Sequence, residues 1–96
     1  MLTKKEKSRN IGIFGKSFVI EILEAVSEKP RRFVDLKEHC PNDKTRTDRL
    51  RSLKKNGLLK SIIIEVKGQS FIHYAITEKG EKALNLLQQL EAMTQT

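Results

Sequence analysis

Residues 44–55 carry side chains that bind polyanions and form hydrogen bonds to the edges of nucleic-acid bases. The segment contains Lys44, Thr45, Arg46, Thr47, Asp48, Arg49, Arg51, Ser52 and Lys55. Arginine can donate two parallel hydrogen bonds to guanine, threonine can bond to a base edge or touch a thymine methyl group, and lysine binds phosphate. An aspartate could accept from a cytosine amine or hold a neighbouring arginine in place. The chemistry that this segment predicts is recognition of double-stranded DNA.

Positive charge is concentrated in the same part of the chain. The 96 residues have a formal net charge of +7 at pH 7. Residues 30–60 hold ten basic and four acidic side chains, a net charge of +6, whereas residues 1–29 carry +2 and residues 61–96 carry −1. A charge confined to one segment indicates where a polyanion binds, which an even distribution would not.

One helix is predicted to present these residues. Asn42 or Asp43 can cap a helix over residues 44–56, and Gly57 can end it. At about 100° per residue, Leu50 and Leu53 lie on one side of this helix. The side facing away carries Lys44, Thr45, Asp48, Arg51, Ser52 and Lys55, with Thr47 and Arg49 on the flanks.

Arg46 conflicts with this arrangement, because it falls close to the Leu50 side where a core residue is expected. Either its aliphatic stem runs along the edge of the core, or the helix begins after it. A charged helix face is also typical of a plain solvated surface. The uneven charge and the hairpin that follows favour DNA binding, with Arg46, Thr47, Asp48 and Arg51 nearest the bases.

The remaining elements predict a mostly helical α+β fold. Apolar spacing predicts further helices over residues 16–27, 34–39 and 78–93, and runs of β-branched residues predict strands over 61–66 and 71–76. This order is that of a winged helix-turn-helix domain with an added C-terminal helix. The predicted organisation is a flexible basic arm (1–10), a winged-helix DNA-binding domain (11–77) and a C-terminal dimerisation helix (78–96).

Two further groups of residues are candidates for contact with phosphates. Arg31 and Arg32 precede the second helix, where the chain of such a domain crosses the DNA backbone; a charged surface turn is the alternative. The predicted hairpin turn, residues 67–70, has Gly68 at its tip and carries Lys67 and Gln69. A single lysine predicts a phosphate contact rather than base reading, and a plain hairpin stays open.

Apolar residues outside the minimal core predict a homodimer. They occur in the N-terminal segment and along the last helix, and the candidate interface consists of Ile11, Ile13, Phe14, Leu84, Leu87, Leu90 and Met93. A continuous apolar surface of several hundred Å² usually marks an interface. A two-fold dimer would present two recognition helices about 34 Å apart, which favours a palindromic site. The alternative is a helix that packs only on its own domain.

Other chemistries lack support in the sequence. The single Cys40 cannot form an internal disulfide, which fits a reducing compartment, and a redox role for it is less favoured than a half-buried thiol. His39, Cys40 and His73 do not have the spacing of a zinc site, and no catalytic arrangement appears. We expect no cofactor, no membrane span and a cytoplasmic, nucleoid-associated protein. A small-molecule effector is compatible with the chain, and its pocket is expected at a dimer interface.

Three segments in register resemble one family of regulators. They are Gly15-Lys16 before an apolar helix with Ile22-Leu23; Arg32-Phe33 with Leu36; and Arg49-Leu50 with Leu53 and Gly57-Leu58, followed by Tyr74, Ile76-Thr77 and Gly80. Over residues 12–93 this pattern resembles the winged-helix regulators of the HxlR type, with MarR, PadR and ArsR regulators as near relatives. The resemblance implies a homodimer whose helix 44–56 enters the major groove and whose terminal helices pair. Arg46 stands where that family has an apolar residue.

Two other function classes stay open. An architectural protein would bind DNA without sequence preference, although Thr45, Thr47 and Ser52 among the charges favour base reading. A winged helix can also bind an acidic protein partner. Protein-binding faces usually carry aromatic anchors, and helix 44–56 has none.

Overall fold

The computed structural model describes residues 10–95. The predicted basic arm, residues 1–10, lies outside this range except for Asn10. In chain order the described elements are a 3-10 helix (Asn10–Gly15), helix α1 (Val19–Glu28), a second 3-10 helix (Val34–Glu38), helix α2 (Asp43–Lys55), strands β1 (Leu59–Val66) and β2 (Gln69–Ile76), and helix α3 (Glu78–Thr94). The predicted α+β class and the order of its elements are confirmed.

Helix α1 forms the centre of the core. Val19, Ile22, Leu23 and Val26 lie at positions i, i+3, i+4 and i+7, the spacing of one helix face, and all four are buried. Ala25 of α1 also belongs to the core cluster, and its other buried residues come from both 3-10 helices, α2, β1, α3 and the connecting segments: Ile13, Leu36, Cys40, Leu50, Leu53, Leu58, Leu59 and Leu84. Helix α2 is therefore held to the domain by only one side, which leaves its opposite side exposed.

Helix α1 begins three residues later than the sequence predicts. Phe18, immediately before the helix, has a left-handed backbone with φ 69°, and no side chain caps the first turn. Because a left-handed residue cannot continue a right-handed helix, residues 16–18 form a turn instead. The helix ends at Glu28, before Lys29-Pro30, as the proline predicts.

Both ends of α2 are satisfied by local hydrogen bonds. The side chain of Asn42 accepts from the amide of Thr45 at 2.9 Å, so Asn42 is the cap rather than Asp43. At the other end Gly57 has φ 76°, the amide of Leu58 donates to Leu53 O at 2.9 Å, and the amide of Gly57 donates to Lys54 O at 3.0 Å. This pair of bonds is the Schellman motif, which needs a left-handed residue at the position of Gly57.

The hairpin is longer and its turn tighter than predicted. Strands β1 and β2 pair antiparallel from Leu59↔Ile76 to Val66↔Gln69, so that Gln69 belongs to a strand and not to the turn. Lys67 and Gly68 form the two-residue turn, with φ 52° and 81°. Two consecutive positive φ values match the right-handed twist of the strands and allow pairing up to the turn itself. Gly68 is at the tip, as predicted.

An isolated β-bridge joins the segment after α1 to this two-stranded sheet. The backbone of Arg31 pairs with Tyr74, donating to its carbonyl at 2.9 Å and accepting from its amide at 2.7 Å. The segment between α1 and the second 3-10 helix is thereby fixed beside β2, opposite β1.

The start of α3 is joined to the end of α2. The hydroxyl of Thr77 donates to Gly57 O at 2.6 Å and accepts from the amide of Gly80 at 3.0 Å. The amide of Thr77 also donates to Leu58 O at 3.1 Å. Gly80 packs directly on this backbone: a Cβ at position 80 would lie 2.8 Å from Ile76 Cγ1 and closer still to Leu58 O.

Gly80→Ala is expected to lower the free energy of unfolding by about 2–3 kcal/mol, since the methyl group meets backbone that cannot move without disrupting the Schellman motif. Urea denaturation followed by circular dichroism measures this loss. Gly15→Ala is the matched control, because a Cβ there has no neighbour within 4 Å. Equal stability of the two variants would contradict the close packing at Gly80.

None of the helices in residues 10–95 combines the length and apolar character needed to cross a membrane.

Candidate nucleic-acid interface

The exposed side of α2 carries a cationic and hydroxyl-bearing surface. Lys44, Thr47, Arg51 and Lys55 are exposed, on the side away from the buried Leu50 and Leu53. Thr45 and Ser52 are half-buried on one flank of the helix, and the side chain of Asp48 is 48% exposed. We call Lys44, Thr47, Arg51 and Lys55 together the basic face of α2.

Lys54 lies next to the basic face of α2, an exposed position that the sequence analysis did not predict. It lies only about 40° around the helix from Leu50, which places it toward the expected core. In the structure it is exposed, because α2 on this side borders an open cavity rather than a packed layer. The sequence signal that was available is its charge, since an unpaired lysine is rarely buried.

Arg46 is a core residue and not a DNA contact, which corrects the prediction that it lies near bases. It is 2% exposed. Its Nη1 donates to Cys40 O at 2.6 Å and Pro41 O at 3.3 Å, and its Nη2 donates to Asp43 Oδ1 at 2.5 Å. The guanidinium also lies over the ring of Phe33, with Cζ 4.2 Å from the ring centroid. The side chain thus satisfies carbonyls of the turn before α2 that would otherwise lack donors.

Arg49 connects α2 to the segment before α1. Its Nε donates to Ser17 O at 2.8 Å, its Nη2 to Ser17 Oγ at 3.1 Å and its Nη1 to Asp48 Oδ2 at 2.8 Å. Asp48 therefore holds Arg49 rather than Arg51, which decides between two alternatives that the sequence left open. These three bonds direct the guanidinium of Arg49 toward Ser17 and Asp48 and leave two of its five N–H groups, so its phosphate contact stays a prediction.

The two arginines before the second 3-10 helix have different surroundings. Arg31 donates to Ala25 O at 2.9 Å and to Glu28 Oε1 at 2.7 Å, and its side chain is only 17% exposed. Its guanidinium supports the end of α1, and its phosphate contact stays a prediction. Arg32 stacks over the ring of Phe71 at 4.2 Å. Because stacking uses the flat face of a guanidinium, the N–H groups at its edge stay available for an anion.

The tip of the hairpin presents one positive charge. Lys67 and Gln69 are both exposed. A left-handed backbone costs a residue with a side chain about 1–2 kcal/mol relative to a right-handed one, and Asn or Gly is the usual choice at the position of Lys67. A lysine in this strained position is consistent with the phosphate contact that the sequence predicts for Lys67.

The apolar candidates for a dimer interface divide into two groups. Ile13 and Leu84 are buried within the domain, at 7% and 6% exposure, and Phe14 and Leu87 pack against the core. Burial of Ile13 and Leu84 corrects their assignment to an interface. The large apolar residues of the N-terminal segment and α3 that are exposed are Ile11, Leu86, Leu90 and Met93. Leu86 was not among the predicted interface residues, although the apolar stripe of the last helix includes it.

Cys40 is fully buried next to the second 3-10 helix. Burial raises the pKa of its thiol above the usual 9.0, an effect that the positive charges of Arg46 and Arg49 only partly offset. The thiolate, which is the reactive form, is therefore disfavoured. Within residues 10–95, no group of three or more His, Cys, Asp or Glu side chains could hold a metal ion.

We expect Cys40 to react with a disulfide reagent such as DTNB only as fast as the native structure opens, and to react freely in denaturant. Because folding favours the thiol, its stabilising contribution is complete below pH 9.0 and is lost as the pH rises through the raised pKa of the folded state. Stopped-flow absorbance measures the rate. Rapid labelling of the native protein would contradict the buried position.

Comparison with known proteins identifies a family for this chain. The family model of the HxlR-like helix-turn-helix matches residues 13–96. No curated protein sequence matches the chain significantly. The reduced form of the transcriptional regulator YodB from Bacillus subtilis superposes with a TM-score of 0.75 at 24% identity, covering 96% of this chain and 89% of YodB.

Two further solved structures share the fold. Smu.1704 from Streptococcus mutans has a TM-score of 0.71 at 25% identity and covers 79% of this chain and 76% of its own. The homodimeric winged helix-turn-helix DNA-binding domain of Mb0332 from Mycobacterium bovis has a TM-score of 0.73 at 18% identity. The match covers 98% of this chain and 85% of the Mb0332 chain. The chain therefore belongs to the HxlR-like helix-turn-helix family, whose members are non-enzymatic transcriptional regulators that bind DNA through a winged helix-turn-helix.

Proposed function

We propose that the protein is a homodimeric regulator that recognises a specific sequence in double-stranded DNA. Helix α2 enters the major groove, and the wing formed by β1 and β2 contacts the adjacent backbone or minor groove. The observation that carries this proposal is the basic face of α2: three cations and one hydroxyl-bearing residue are exposed on one side of a helix that is fixed to the core by the other side.

The residues of this face have different roles. Arg51 is the candidate for reading guanine, because within the described residues its guanidinium has no acidic partner and is exposed. The hydroxyl of Thr47 donates to Asp43 O at 2.9 Å, so this residue offers a base its methyl group and the remaining lone pair of its oxygen. Lys44 and Lys55 bind phosphates, which orients the helix without selecting a sequence.

Contacts outside α2 complete the interface. Arg32, stacked on Phe71, and Lys67 at the wing tip bind phosphates on either side of the groove that α2 occupies. Thr45, Ser52 and Gln69 line the margins and contribute water-mediated or phosphate contacts, and Asp48 contributes by holding Arg49. A regulator of this kind works on chromosomal DNA in the cytoplasm.

Dimerisation through α3 is supported by its exposed apolar side chains. Leu86, Leu90 and Met93 are 60%, 57% and 75% exposed, and Ile11 is 70% exposed. Solvent-exposed leucines spaced four residues apart on one helix favour a partner helix. We therefore propose that α3 is the dimerisation element, within a C-terminal segment 78–96 that follows a winged-helix domain over residues 11–77.

Leu90→Glu is expected to convert the dimer to a monomer and to reduce DNA affinity accordingly, because an apolar side chain on each side of the two-fold axis is replaced by a negative charge. Sedimentation velocity measures the mass. Gln89→Glu adds the same charge at an exposed neighbouring position and should leave the dimer intact. A monomeric wild-type protein would refute the proposed assembly.

Selection from randomised duplex DNA, followed by a salt titration on the recovered duplexes, tests the proposed function. We expect a two-fold symmetric motif with half-sites about one helical turn apart. If about five phosphates are neutralised per subunit, log affinity plotted against log salt concentration should have a slope of roughly −9. Tight, salt-sensitive binding without a motif would instead indicate an architectural protein, and no binding at low salt would indicate a protein partner.

A further inference from the structure

A cavity of about 560 Å³ opens between α2 and the base of the wing. Its floor is apolar and partly aromatic, formed by Phe33, Leu50 and Tyr74. Leu50 is only 2% exposed, so the floor lies well below the surface of the basic face. Thr47, Arg51, Lys54 and Lys55 form the rim. The volume lies within the range of about 300–1,000 Å³ that small-molecule sites occupy.

The positive charge of the rim indicates that a ligand of this cavity is negatively charged. Three of the seven lining residues are cations, and none is acidic. Arginine and lysine together can pair with one carboxylate, and the hydroxyl oxygen of Thr47 can accept a hydrogen bond. A neutral apolar molecule would leave these cations without partners, whereas an anion would neutralise one or two of them.

The floor indicates the shape of the same ligand. The ring of Phe33 is held in place from one direction by the guanidinium of Arg46, 4.2 Å from its ring centroid, and the backbone of Tyr74 is fixed by its pairing with Arg31. The two rings offer a surface on which a flat apolar molecule can stack or pack edge to face. A ring that is already held, such as that of Phe33, also reduces the conformational entropy that binding would otherwise cost.

We propose that this cavity binds a small planar aromatic anion, such as an aromatic carboxylate, and that the bound anion displaces DNA. The second step rests on the proposed function, because Thr47, Arg51 and Lys55 belong both to the rim and to the DNA-contacting face of α2. A ligand that neutralises these cations removes phosphate and base contacts at the same time. No residue of α3 lines the cavity, so the proposed site is separate from the proposed dimer interface, where the sequence predicts an effector pocket.

An NMR titration of the uniformly ¹⁵N-labelled full chain with 1-naphthoate tests the site without DNA. We expect saturable shifts at the amides of Thr47, Arg51, Lys54 and Tyr74. The neutral analogue 1-naphthalenemethanol should bind at least about tenfold more weakly, the equivalent of one charge-assisted hydrogen bond. Equal affinity for the two compounds, or shifts confined to the exposed side of α3, would overturn the proposed site.

Lys54→Gln separates the site from general electrostatics. Lys54 lies on the rim but is outside the residues that we assign to DNA contact, so its removal should weaken 1-naphthoate binding roughly tenfold. Lys60→Gln removes the same charge from an exposed residue of β1 that does not line the cavity, and should leave binding unchanged. Equal losses in the two variants would show that only the net charge matters and would refute the site.

Competition with a fluorescent duplex then tests the regulatory step. 1-Naphthoate should release the selected duplex at concentrations that saturate the NMR shifts, and 1-naphthalenemethanol should not. Shifts in a protein that binds no DNA would support the site while refuting the proposed function. DNA binding without shifts would refute the site alone, and a stable ternary complex would refute the displacement of DNA.

Discussion

Arg46→Ala is expected to lower the free energy of unfolding by about 3–5 kcal/mol, which places it among the severe single substitutions. The substitution removes the donors to Cys40 O and Pro41 O, the ion pair with Asp43 and the cation that covers Phe33. The buried carbonyl of Cys40 left without this donor, together with the lost packing on Phe33, accounts for most of the loss. Urea unfolding at one fixed protein concentration measures it, because the stability of a dimer depends on concentration.

Two controls separate the possible causes. Arg46→Met keeps most of the side-chain volume and removes the need to bury a charge, so about half of the loss should be recovered. Lys44→Ala removes a charge from an exposed position two residues away, on the opposite side of α2, and should change the stability by less than about 0.5 kcal/mol. A fully stable Arg46→Ala protein with reduced DNA affinity would return this arginine to the interface with DNA.

Arg51→Ala should produce the largest loss of DNA affinity among the single substitutions. An arginine that makes two hydrogen bonds to guanine contributes about 2 kcal/mol, so two copies in a dimer account for about three orders of magnitude in the dissociation constant. Fluorescence anisotropy with the selected duplex at one salt concentration measures the loss. The stability of the variant should be unchanged, because Arg51 is exposed and makes no ion pair within the described residues.

Arg51→Lys and Lys82→Ala are the matched controls. Arg51→Lys retains the positive charge but cannot form the two-point contact, so specificity at one base pair should relax while the salt dependence stays similar. Lys82 is an exposed lysine of α3, and its removal should have little effect. If Arg51→Ala and Lys82→Ala lose affinity equally while Arg51→Lys binds as tightly and as specifically as the wild type, only the total charge is important and sequence reading by Arg51 is excluded.

Most of the fold could be predicted from local patterns. The 3.6-residue spacing of Val19, Ile22, Leu23 and Val26 defines α1, and the glycine at position 57 marks the end of α2. The predicted start of α1 lies too far toward the N-terminus, because no residue pattern in the sequence indicates the left-handed backbone of Phe18. That conformation accompanies the bonds from Arg49 to Ser17, which join residues 32 positions apart.

The candidate interface could be predicted only in part, because charge alone does not distinguish a supporting arginine from a DNA-binding one. Arg31, Arg46 and Arg49 each satisfy backbone carbonyls of another segment, so their guanidinium groups face the protein. Helical periodicity identified Arg46 as anomalous but could not show that a turn six residues earlier needed its donors. Arg51 has no such partner within residues 10–95 and retains its predicted position on the surface.

The junction of Gly57, Thr77 and Gly80 determines more than the stability of the domain. It clamps the end of the recognition helix to the start of the helix that we assign to the subunit contact, with no linker residues free to bend between them. In the proposed dimer the distance and the angle between the two copies of α2 would then be fixed. Such a protein measures the distance between half-sites, and DNA with one base pair inserted or removed between them should be rejected even when every contacted base is present.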